Sequence, residues 1–498
     1  PSFVSSGPVV SPPVLSTAAF LLQNASVTIQ NVAVIATNTV AYGVQASSSF
    51  IYLSGMTIDG RTSVVAAGIT LSSWSAISGS SVSAQGATAV GILGIGNAVS
   101  DSTMTAGAAN APSLAIIGAS SNTITRCRME SSAWNAAYIS SGVYNTISYS
   151  TITSSALGAA ALTVWRASWT TLSHSYAFNP SDHGALFAHA YWTTVESSTM
   201  ASSAANFAGA FLWNSSSNTL QDRLAFNAGT GYGLRISGAY NTVSASRIRR
   251  AGIGGNANLI LRSTMTSEGS EGLFVDGSSL TVANCYVQGA STGALLAGST
   301  ATLISDSVLV ATDAFGTGLV LLGPSALYAS GGNQGVSVAS TTLLAGTGGT
   351  GILLDSDNQG TLSLATVTVR GARFGVRIST PGAGASLSIA SMTFESLQAG
   401  ATAIRFLGGV FISSFTNLTF ADSGLGVNVD AAALSPGSRI TVRADTGAHT
   451  GPHFENDPGG YVEWADFQRP GVPGALTGAT LGVSSISWTW SATSGTEF

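Results

Sequence analysis

Aromatic, histidine and arginine side chains are concentrated in one part of this sequence, between residues 134 and 250. Short segments with period-two alternation occur there, and alternate residues of a strand face outward. Rings spaced about 5 Å apart on neighbouring strands, with guanidinium groups among them, suit the stacking of sugar rings or the binding of an acidic polymer. The alternative is a lateral patch that a loop or another subunit covers. The candidate carbohydrate strip consists of Trp165, Phe187, His189 and Arg235.

A second candidate site is the segment 355–360, Asp-Ser-Asp-Asn-Gln-Gly, which has oxygen ligands at alternate positions and glycine at the sixth. This pattern is similar to the first half of a calcium-binding loop, with Asp355 and Asp357 as the candidate Ca²⁺ ligands. Position twelve is Thr366 rather than glutamate, so a corner turn explains the segment equally well. No other cofactor is expected, since neither a glycine-rich phosphate loop nor Cys/His metal spacing occurs.

Carboxylate spacing bears on whether the protein is an enzyme. Hydrolysis of a glycosidic bond by acid–base catalysis needs two carboxyl groups about 5–9.5 Å apart. The sequence has no adjacent pair of aspartates, and Asp182 and Asp222 are nearly two repeats apart. The sequence therefore favours a protein that is not an enzyme, and the question of enzymatic activity stays open.

The elements that position these residues are built from small, uncharged side chains. Only 8% of the 498 residues are charged, all 17 basic residues are arginine, and the net charge is −5. Without a basic run, a nucleic-acid partner is not expected. Without an apolar stretch of about 18 residues, a membrane span is not expected either. The two cysteines, Cys127 and Cys285, cannot form a disulfide framework.

A repeat of about 23 to 25 residues organises the chain, clearest at residues 122–129 (NTITRCRM) and 145–152 (NTISYSTI). About eight residues before many copies stands a Gly-apolar-x-apolar segment, such as residues 232–236 (YGLRI). Both segments alternate with period two, and no helical pattern separates them. This spacing predicts an all-β chain, a single parallel β-helix of about nineteen coils.

One position of the repeat is occupied by asparagine in many coils. Stacked inward on successive coils, these side-chain amides are expected to hydrogen-bond to turn backbone and to one another. Their role is therefore structural rather than catalytic. The members of this asparagine ladder are Asn97, Asn122, Asn145, Asn218 and Asn241.

The coil pattern, G-[IL]-x-[IL] followed by N-T-[IV]-x-x-[SN]-x-[IVM], resembles the repeats of right-handed parallel β-helix proteins of the pectate-lyase-like and NosD-like kinds. The resemblance spans roughly residues 20–467. It implies the fold and leaves function open, because enzymes, adhesins and passive stalks share this coil. Pectate-lyase-like enzymes generally use Ca²⁺-binding aspartates with an Arg or Lys base, and polygalacturonases use paired Asp with His-Gly and Arg-Ile-Lys segments. Asp182-His183-Gly184 and Arg247-Ile248-Arg249 weakly resemble these polygalacturonase segments.

The repeats divide the chain into four expected segments. They are an N-terminal arm or cap at 1–20, the parallel β-helix at 21–430, the last coils with a capping loop at 431–470, and a linker with further strands at 471–498. Residues 474–490 resemble the first two strands of a fibronectin type III domain, which the last 28 residues are too few to complete. We expect either that a longer protein was cut here or that another chain completes these strands.

These features favour an extracellular or cell-surface structural or adhesive protein, as a protomer of a filament or a shaft segment of a giant surface protein. Its expected partner is itself, head-to-tail through the chain ends, with a polysaccharide or another cell surface as a further partner. The alternative function is a β-helix that binds or cleaves polysaccharide as a lyase or hydrolase. An ice- or mineral-surface binder needs regular threonine rows, which the uneven coil lengths do not favour.

Overall fold

The protein is described here by a computed structural model, in which strands stack in parallel into a right-handed solenoid. The all-β parallel β-helix predicted from the sequence is confirmed. No described residue belongs to a helix long and apolar enough to cross a membrane. The structure describes residues 9–10, 18–24, 26–35, 40–47, 50–60, 64–222, 224–322, 333–355, 361–379, 386–421, 426–444, 455–465, 477–482 and 485–489.

Three parallel sheets run along the solenoid, because each strand pairs with the equivalent strand of the next coil. The strands of sheet 1 are Ala18–Gln23, Val40–Ser47, Val64–Leu71, Thr88–Ile92, Leu114–Ile117, Ala137–Ser140, Leu162–Trp165, Ala185–Ala188, Ala210–Trp213, Leu234–Ile236, Ala251–Ile253, Glu271–Val275, Thr292–Ala297, Thr317–Leu322, Thr350–Leu354, Phe374–Ile378, Thr402–Phe406, Val427–Asp430 and Glu455–Asn456. The strands of sheet 2 are Ser26–Gln30, Phe50–Ser54, Ala76–Ser78, Ala98–Ser100, Thr123–Thr125, Thr146–Ser148, Thr171–Ser173, Thr194–Glu196, Thr219–Gln221, Thr242–Ser244, Leu259–Leu261, Thr281–Ala283, Leu303–Ser305, Val336–Ala339, Arg439–Ala444 and Val462–Trp464. The strands of sheet 3 are Val9–Val10, Ala33–Ile35, Thr57–Gly60, Ser81–Ala84, Thr103–Ala106, Arg128–Ser131, Thr151–Ser154, Tyr176–Asn179, Thr199–Ser202, Leu224–Asn227, Arg247–Arg249, Thr264–Thr266, Tyr286–Gly289, Val308–Ala311 and Thr342–Leu344. Three longer strands run through sheets 2 and 3 without a break, Thr361–Arg370, Ser386–Glu395 and Ile412–Phe420.

Between residues 88 and 305, the uneven coil length lies in one corner. We call the connection from sheet 1 to sheet 2 corner 1, that from sheet 2 to sheet 3 corner 2, and the return to sheet 1 corner 3. From strand Thr88–Ile92 to strand Leu303–Ser305, corner 1 always has five residues and corner 2 always has two, whereas corner 3 has between one and seven. Insertions therefore leave the register of sheet 2 unchanged.

A regular threonine row on sheet 2 follows from this constancy. The expectation that uneven coil lengths disfavour such a row is wrong here, because the extra residues lie in corner 3. Six threonines occupy the same outward position on consecutive strands, Thr123, Thr146, Thr171, Thr194, Thr219 and Thr242.

Aliphatic columns fill the interior, since alternate residues of each strand point inward. One column in sheet 2, with every member at most 1% exposed, is Ile124, Ile147, Leu172, Val195 and Leu220. Burial of each such side chain stabilises the fold by about 1.5–3 kcal/mol. Toward the C-terminal coils the filling becomes aromatic, and the Phe394 and Phe420 rings stack with centroids 5.5 Å apart.

The glycine of the Gly-apolar-x-apolar segment has a steric cause. A Cβ added at Gly68 would lie 2.6 Å from the Ala89 carbonyl oxygen and 2.6 Å from Val82 Cγ1. At Gly375, it would lie 2.4 Å from the Phe394 ring. These two positions are therefore filled by neighbouring atoms and take only a very small residue.

Asparagine side chains form a buried column inside corner 1. Asn97 Nδ2 donates to Asn122 Oδ1 at 3.0 Å, and Asn122 Nδ2 donates to Asn145 Oδ1 at 2.9 Å. Farther along, Asn218 Nδ2 donates to Asn241 Oδ1 at 2.9 Å. Asn241 Nδ2 in turn donates at 3.0 Å to the amide oxygen of a further member, Asn258. The coils between these two runs carry threonine at the same position, Thr170 and Thr193.

A second polar column, made of hydroxyl groups, follows corner 2 and accounts for the cysteines. The backbone N–H of Ser150 donates to Ser175 Oγ at 3.1 Å, and that of Cys127 donates to Ser150 Oγ at 3.1 Å. Cys285 donates in the same way to Ser307 Oγ. Both cysteines are free and buried, and each occupies a position that other coils fill with serine. Burial raises the pKa of the Cys127 thiol to about 11.

The shortest coil is closed by an ion pair. Arg250 alone connects strand Arg247–Arg249 to strand Ala251–Ile253. Its guanidinium donates to Glu271 Oε1 at 2.7 Å and lies 4.3 Å from the centre of the Tyr232 ring.

The C-terminal strands Thr477–Gly482 and Ser485–Thr489 pair with each other in antiparallel fashion. A two-stranded hairpin is common to many folds, so the resemblance to fibronectin type III is not confirmed. The four expected segment boundaries likewise stay predictions.

Candidate functional site

Corner 1 carries exposed aromatic residues in an unusual backbone conformation. The residue directly before the asparagine column has a positive φ, 58° at Tyr144, 55° at Trp169 and 51° at Trp192. This left-handed conformation costs a residue with a Cβ about 1–2 kcal/mol, and corner 1 imposes it in these successive coils. The side chains that project here are 58%, 46% and 49% exposed, in the same order.

These rings form one stack along the solenoid axis. The Trp169 ring lies 6.0 Å from that of Tyr144, with 20° between the ring planes, and 5.1 Å from that of Trp192, with 11° between them. Tyr191 adds a tilted ring 6.0 Å from Trp192. The centroid separations exceed the carbon contact distance of about 3.5–4 Å, so the rings are offset and each leaves part of its surface open. We call Tyr144, Trp169, Tyr191 and Trp192 the corner-1 stack.

A second aromatic group lies at the start of the same corner. The Trp165 ring is 5.6 Å from the His189 ring and 6.0 Å from the Trp213 ring, and the latter two are 5.4 Å apart. Trp165 and Trp213 end strands on either side of Ala188, which is fully buried between them. The Arg166 guanidinium lies 5.8 Å from the Trp165 ring. We call Trp165, His189 and Trp213 the aromatic triad.

The structure brings together two of the four residues of the predicted carbohydrate strip. Trp165 and His189 belong to the triad, and Arg235 lies apart from it, with its guanidinium 5.3 Å from the Phe211 ring. The outward direction expected for Phe187 is wrong. Phe187 is 2% exposed and packs in the interior, in register with Val164.

The aromatic-rich region 134–250 includes Trp213 and the corner-1 stack, but the predicted strip left them out. A signal for the stack is nevertheless present, because an aromatic residue directly precedes the repeat motif in three consecutive coils. Strand alternation does not describe corner residues, so it gave no direction for these side chains.

The motif Asp182-His183-Gly184 is used structurally. The buried Asp182 carboxylate accepts hydrogen bonds from the backbone N–H of Gly158 at 2.9 Å and of His183 at 2.6 Å. His183 Nδ1 accepts from the Ala208 N–H at 2.8 Å, and its ring packs 5.1 Å from that of Phe207. Burial lowers the pKa of His183. Both side chains therefore hold corner 3 together.

The calcium prediction is only partly within the described chain. Asp355 directly follows strand Thr350–Leu354, and Asp357 lies outside the described residues. Among the residues that the structure describes, no group of three or more His, Cys, Asp or Glu side chains is arranged to hold a metal ion. Calcium binding here stays a prediction.

The sequence matches the family model for the right-handed β-helix region over residues 66–225 and 183–343, together more than half of the chain. The chain belongs to this β-helix family. No curated protein sequence matches it. The family assignment agrees with the observed solenoid and does not name a ligand.

Several solved β-helix structures are similar to this one. A tailspike protein double mutant of E. coli bacteriophage HK620 has 12% identity and a TM-score of 0.39, with 85% of this chain and 73% of that chain covered. The Azotobacter vinelandii mannuronan C-5 epimerase AlgE6 A-module has 12% identity and a TM-score of 0.30, covering 75% and 90%. The catalytic domain of a GH87 α-1,3-glucanase has 11% identity and a TM-score of 0.34, covering 64% and 63%. At these values, no ligand is transferred to the β-helix described here.

Proposed function

We propose that this β-helix is a secreted or cell-surface adhesive protein that binds a polysaccharide along corner 1. The observation that carries the proposal is the corner-1 stack, in which Trp169 lies between Tyr144 and Trp192 and all three remain about half exposed. Exposed apolar patches of this kind commonly mark interaction surfaces. The C–H groups of a pyranose ring carry partial positive charge and pack on the negative face of an aromatic ring.

An extended ligand fits this surface better than a small molecule. The aromatic residues recur once per coil, about 4.8 Å apart along the axis, on an outer corner of the solenoid. A polymer with repeating sugar units meets equivalent rings in successive coils. The triad of Trp165, His189 and Trp213 begins on the same corner and widens the surface across it. Binding rather than cleavage is proposed, because Asp182 and His183 are engaged in holding corner 3.

The test uses the backbone conformation of the corner. Glycine adopts positive φ without strain, so Trp169→Gly removes the central ring and relieves the backbone. Tyr240 provides a matched control, since it occupies the same position two coils beyond Trp192, with φ of 58° and 67% exposure. Within the described parts of the chain, it makes no ring contact.

Binding would be measured by affinity electrophoresis and tryptophan fluorescence against a panel of neutral and acidic polysaccharides. We expect the unmodified protein to bind at least one of them. Loss of an aromatic anchor costs about 2 kcal/mol or more, so Trp169→Gly should weaken binding roughly thirtyfold, and Tyr240→Gly less than about twofold. Equal affinities of the two variants, or no binding to any polysaccharide, would overturn the proposal.

The threonine row on sheet 2 favours a second candidate, binding to an ice or mineral surface. Such binding would use the six aligned hydroxyl side chains rather than corner 1. Trp169→Gly would then leave the activity unchanged, which separates the two functions. Head-to-tail self-association through the chain ends stays a prediction.

A further inference from the structure

A group of arginines lies on the outer face of sheet 1, in coils well beyond the aromatic corner. Strands Phe374–Ile378 and Thr402–Phe406 are neighbours, and their register sets Arg377 directly opposite Arg405. Like charges in directly opposed positions destabilise a sheet. Arg373 precedes the first of these strands and adds a third positive charge.

The three guanidinium groups converge on one aromatic ring. Their central carbons lie 5.6 Å (Arg373), 5.1 Å (Arg377) and 5.2 Å (Arg405) from the centre of the Phe374 ring. A ring face attracts cations and holds planar guanidinium groups in a fixed orientation. Phe374 therefore keeps close together three charges that would otherwise separate.

Carboxylates balance only part of this charge. Arg405 Nε lies 3.4 Å from Asp430 Oδ2, and Asp430 Oδ1 also accepts from Asn456 Nδ2 at 3.0 Å. Among the described residues, no carboxylate lies within ion-pair distance of Arg373 or Arg377. Arg377 Nε is buried and has no hydrogen-bond partner there. Burial, and next the charge of Arg405, lower the pKa of Arg377.

We propose that Arg373, Arg377 and Arg405 form a binding site for an oxyanion, the carboxylate, sulfate or phosphate group of an acidic ligand. Guanidinium groups offer paired N–H donors that match the oxygens of these anions. A bound oxyanion would accept hydrogen bonds from the guanidinium groups and neutralise the two opposed charges. The site is separate from corner 1, so it does not depend on the proposed polysaccharide function.

The test measures anion-dependent stability of the full chain. Sodium sulfate, sodium phosphate and galacturonate oligomers are titrated separately at an ionic strength held constant with sodium chloride, and thermal unfolding is followed. A ligand that binds only the folded state raises the melting temperature in a saturable way. We expect saturable stabilisation with at least one of the three, and an apparent Kd at least tenfold higher for Arg377→Gln.

Two further variants make the outcome specific. Arg247→Gln removes an equal charge from an exposed arginine on sheet 3 and should respond like the unmodified protein. Trp169→Gly should also respond normally, so failure of this site is distinguishable from failure of the corner-1 proposal. Without added anion, Arg377→Gln should melt no lower than the unmodified protein, because the opposed charges are gone.

The three titrations identify the source of the anion. A response to galacturonate oligomers alone assigns the site to carboxylates, and a response to sulfate or phosphate assigns it to tetrahedral oxyanions. Identical responses of Arg377→Gln and Arg247→Gln, or no saturable response to any of the three anions, would overturn the proposal.

Discussion

Completing the asparagine column of corner 1 is expected to stabilise the coils that carry the aromatic stack. At an intact step, the backbone N–H and the Nδ2 group of Asn122 donate to Asn145 Oδ1 at 3.1 and 2.9 Å. At the interrupted steps, the hydroxyl groups of Thr170 and Thr193 are buried without a hydrogen-bond partner. The double variant Thr170→Asn/Thr193→Asn would join the two runs of asparagine into one.

The expected gain follows from the number of new hydrogen bonds. By analogy with the intact steps, the two new amides add about five bonds, each worth a net 0.5–1.5 kcal/mol. Ordering each new side chain costs about 1 kcal/mol. The free energy of unfolding should therefore rise by about 3 kcal/mol. With an unfolding entropy of about 2.1 cal/mol/K per residue, this raises the melting temperature by roughly 3 °C.

Hydrogen exchange is the better assay, because solenoid coils can open locally. Peptides covering residues 142–170 and 190–218 should exchange more slowly in the double variant, by up to about a hundredfold where local opening limits exchange. The matched control is Thr170→Val/Thr193→Val, which removes the unpaired hydroxyl groups without supplying amides.

Comparing the two double variants shows whether the gain in stability comes from the new amides. If the valine variant is as stable as the asparagine variant, the gain comes from removing buried hydroxyl groups and not from the column. A destabilised asparagine variant would show that corner 1 has no room for an amide at these coils. Either result refutes the reasoning.

Two other predictions concern buried groups elsewhere in the solenoid. Cys127 occupies a serine position of the corner-2 column, so Cys127→Ser should change the free energy of unfolding by less than about 1 kcal/mol, and a larger loss in a denaturant titration would contradict this placement. Because burial lowers the pKa of His183, the unfolded chain binds a proton near pH 6.5 that the folded chain does not. The contribution of His183 to the free energy of unfolding is therefore fully present above pH 6.5 and is lost as the pH falls below that value. In His183→Gln, the free energy of unfolding should fall less steeply between pH 6.5 and 5. A pH dependence equal to that of the unmodified protein would contradict this role of His183.

The repeat made the solenoid predictable from the sequence. Three features of the sequence reflect local requirements that recur in many coils. They are the period-two alternation, the glycine of the sheet 1 strands and the asparagine of corner 1. Phe187 was misplaced because Ala185, a small residue, takes the inward position of its strand while Leu186 faces outward. All four residues of that strand are apolar, so alternation could not fix which of them face inward.

The candidate sites were harder to predict, since both depend on alignment between coils. Tyr144, Trp169 and Trp192 stand in corner positions, where backbone conformation rather than alternation sets direction. Arg377 and Arg405 are 28 residues apart in the sequence and directly opposed in space. Corner lengths fix that alignment, and the sequence does not mark them.

Between residues 88 and 305, length differences are confined to corner 3, and this has an evolutionary consequence. From residue 88 to residue 305, corner 1 keeps its five residues and corner 2 keeps its two residues in each successive coil. Duplication or loss of a whole coil through recombination of the gene would therefore preserve every stacked column. New loops could accumulate on one edge of the molecule while the rest is inherited unchanged, and the same edge is the natural place to graft a foreign peptide.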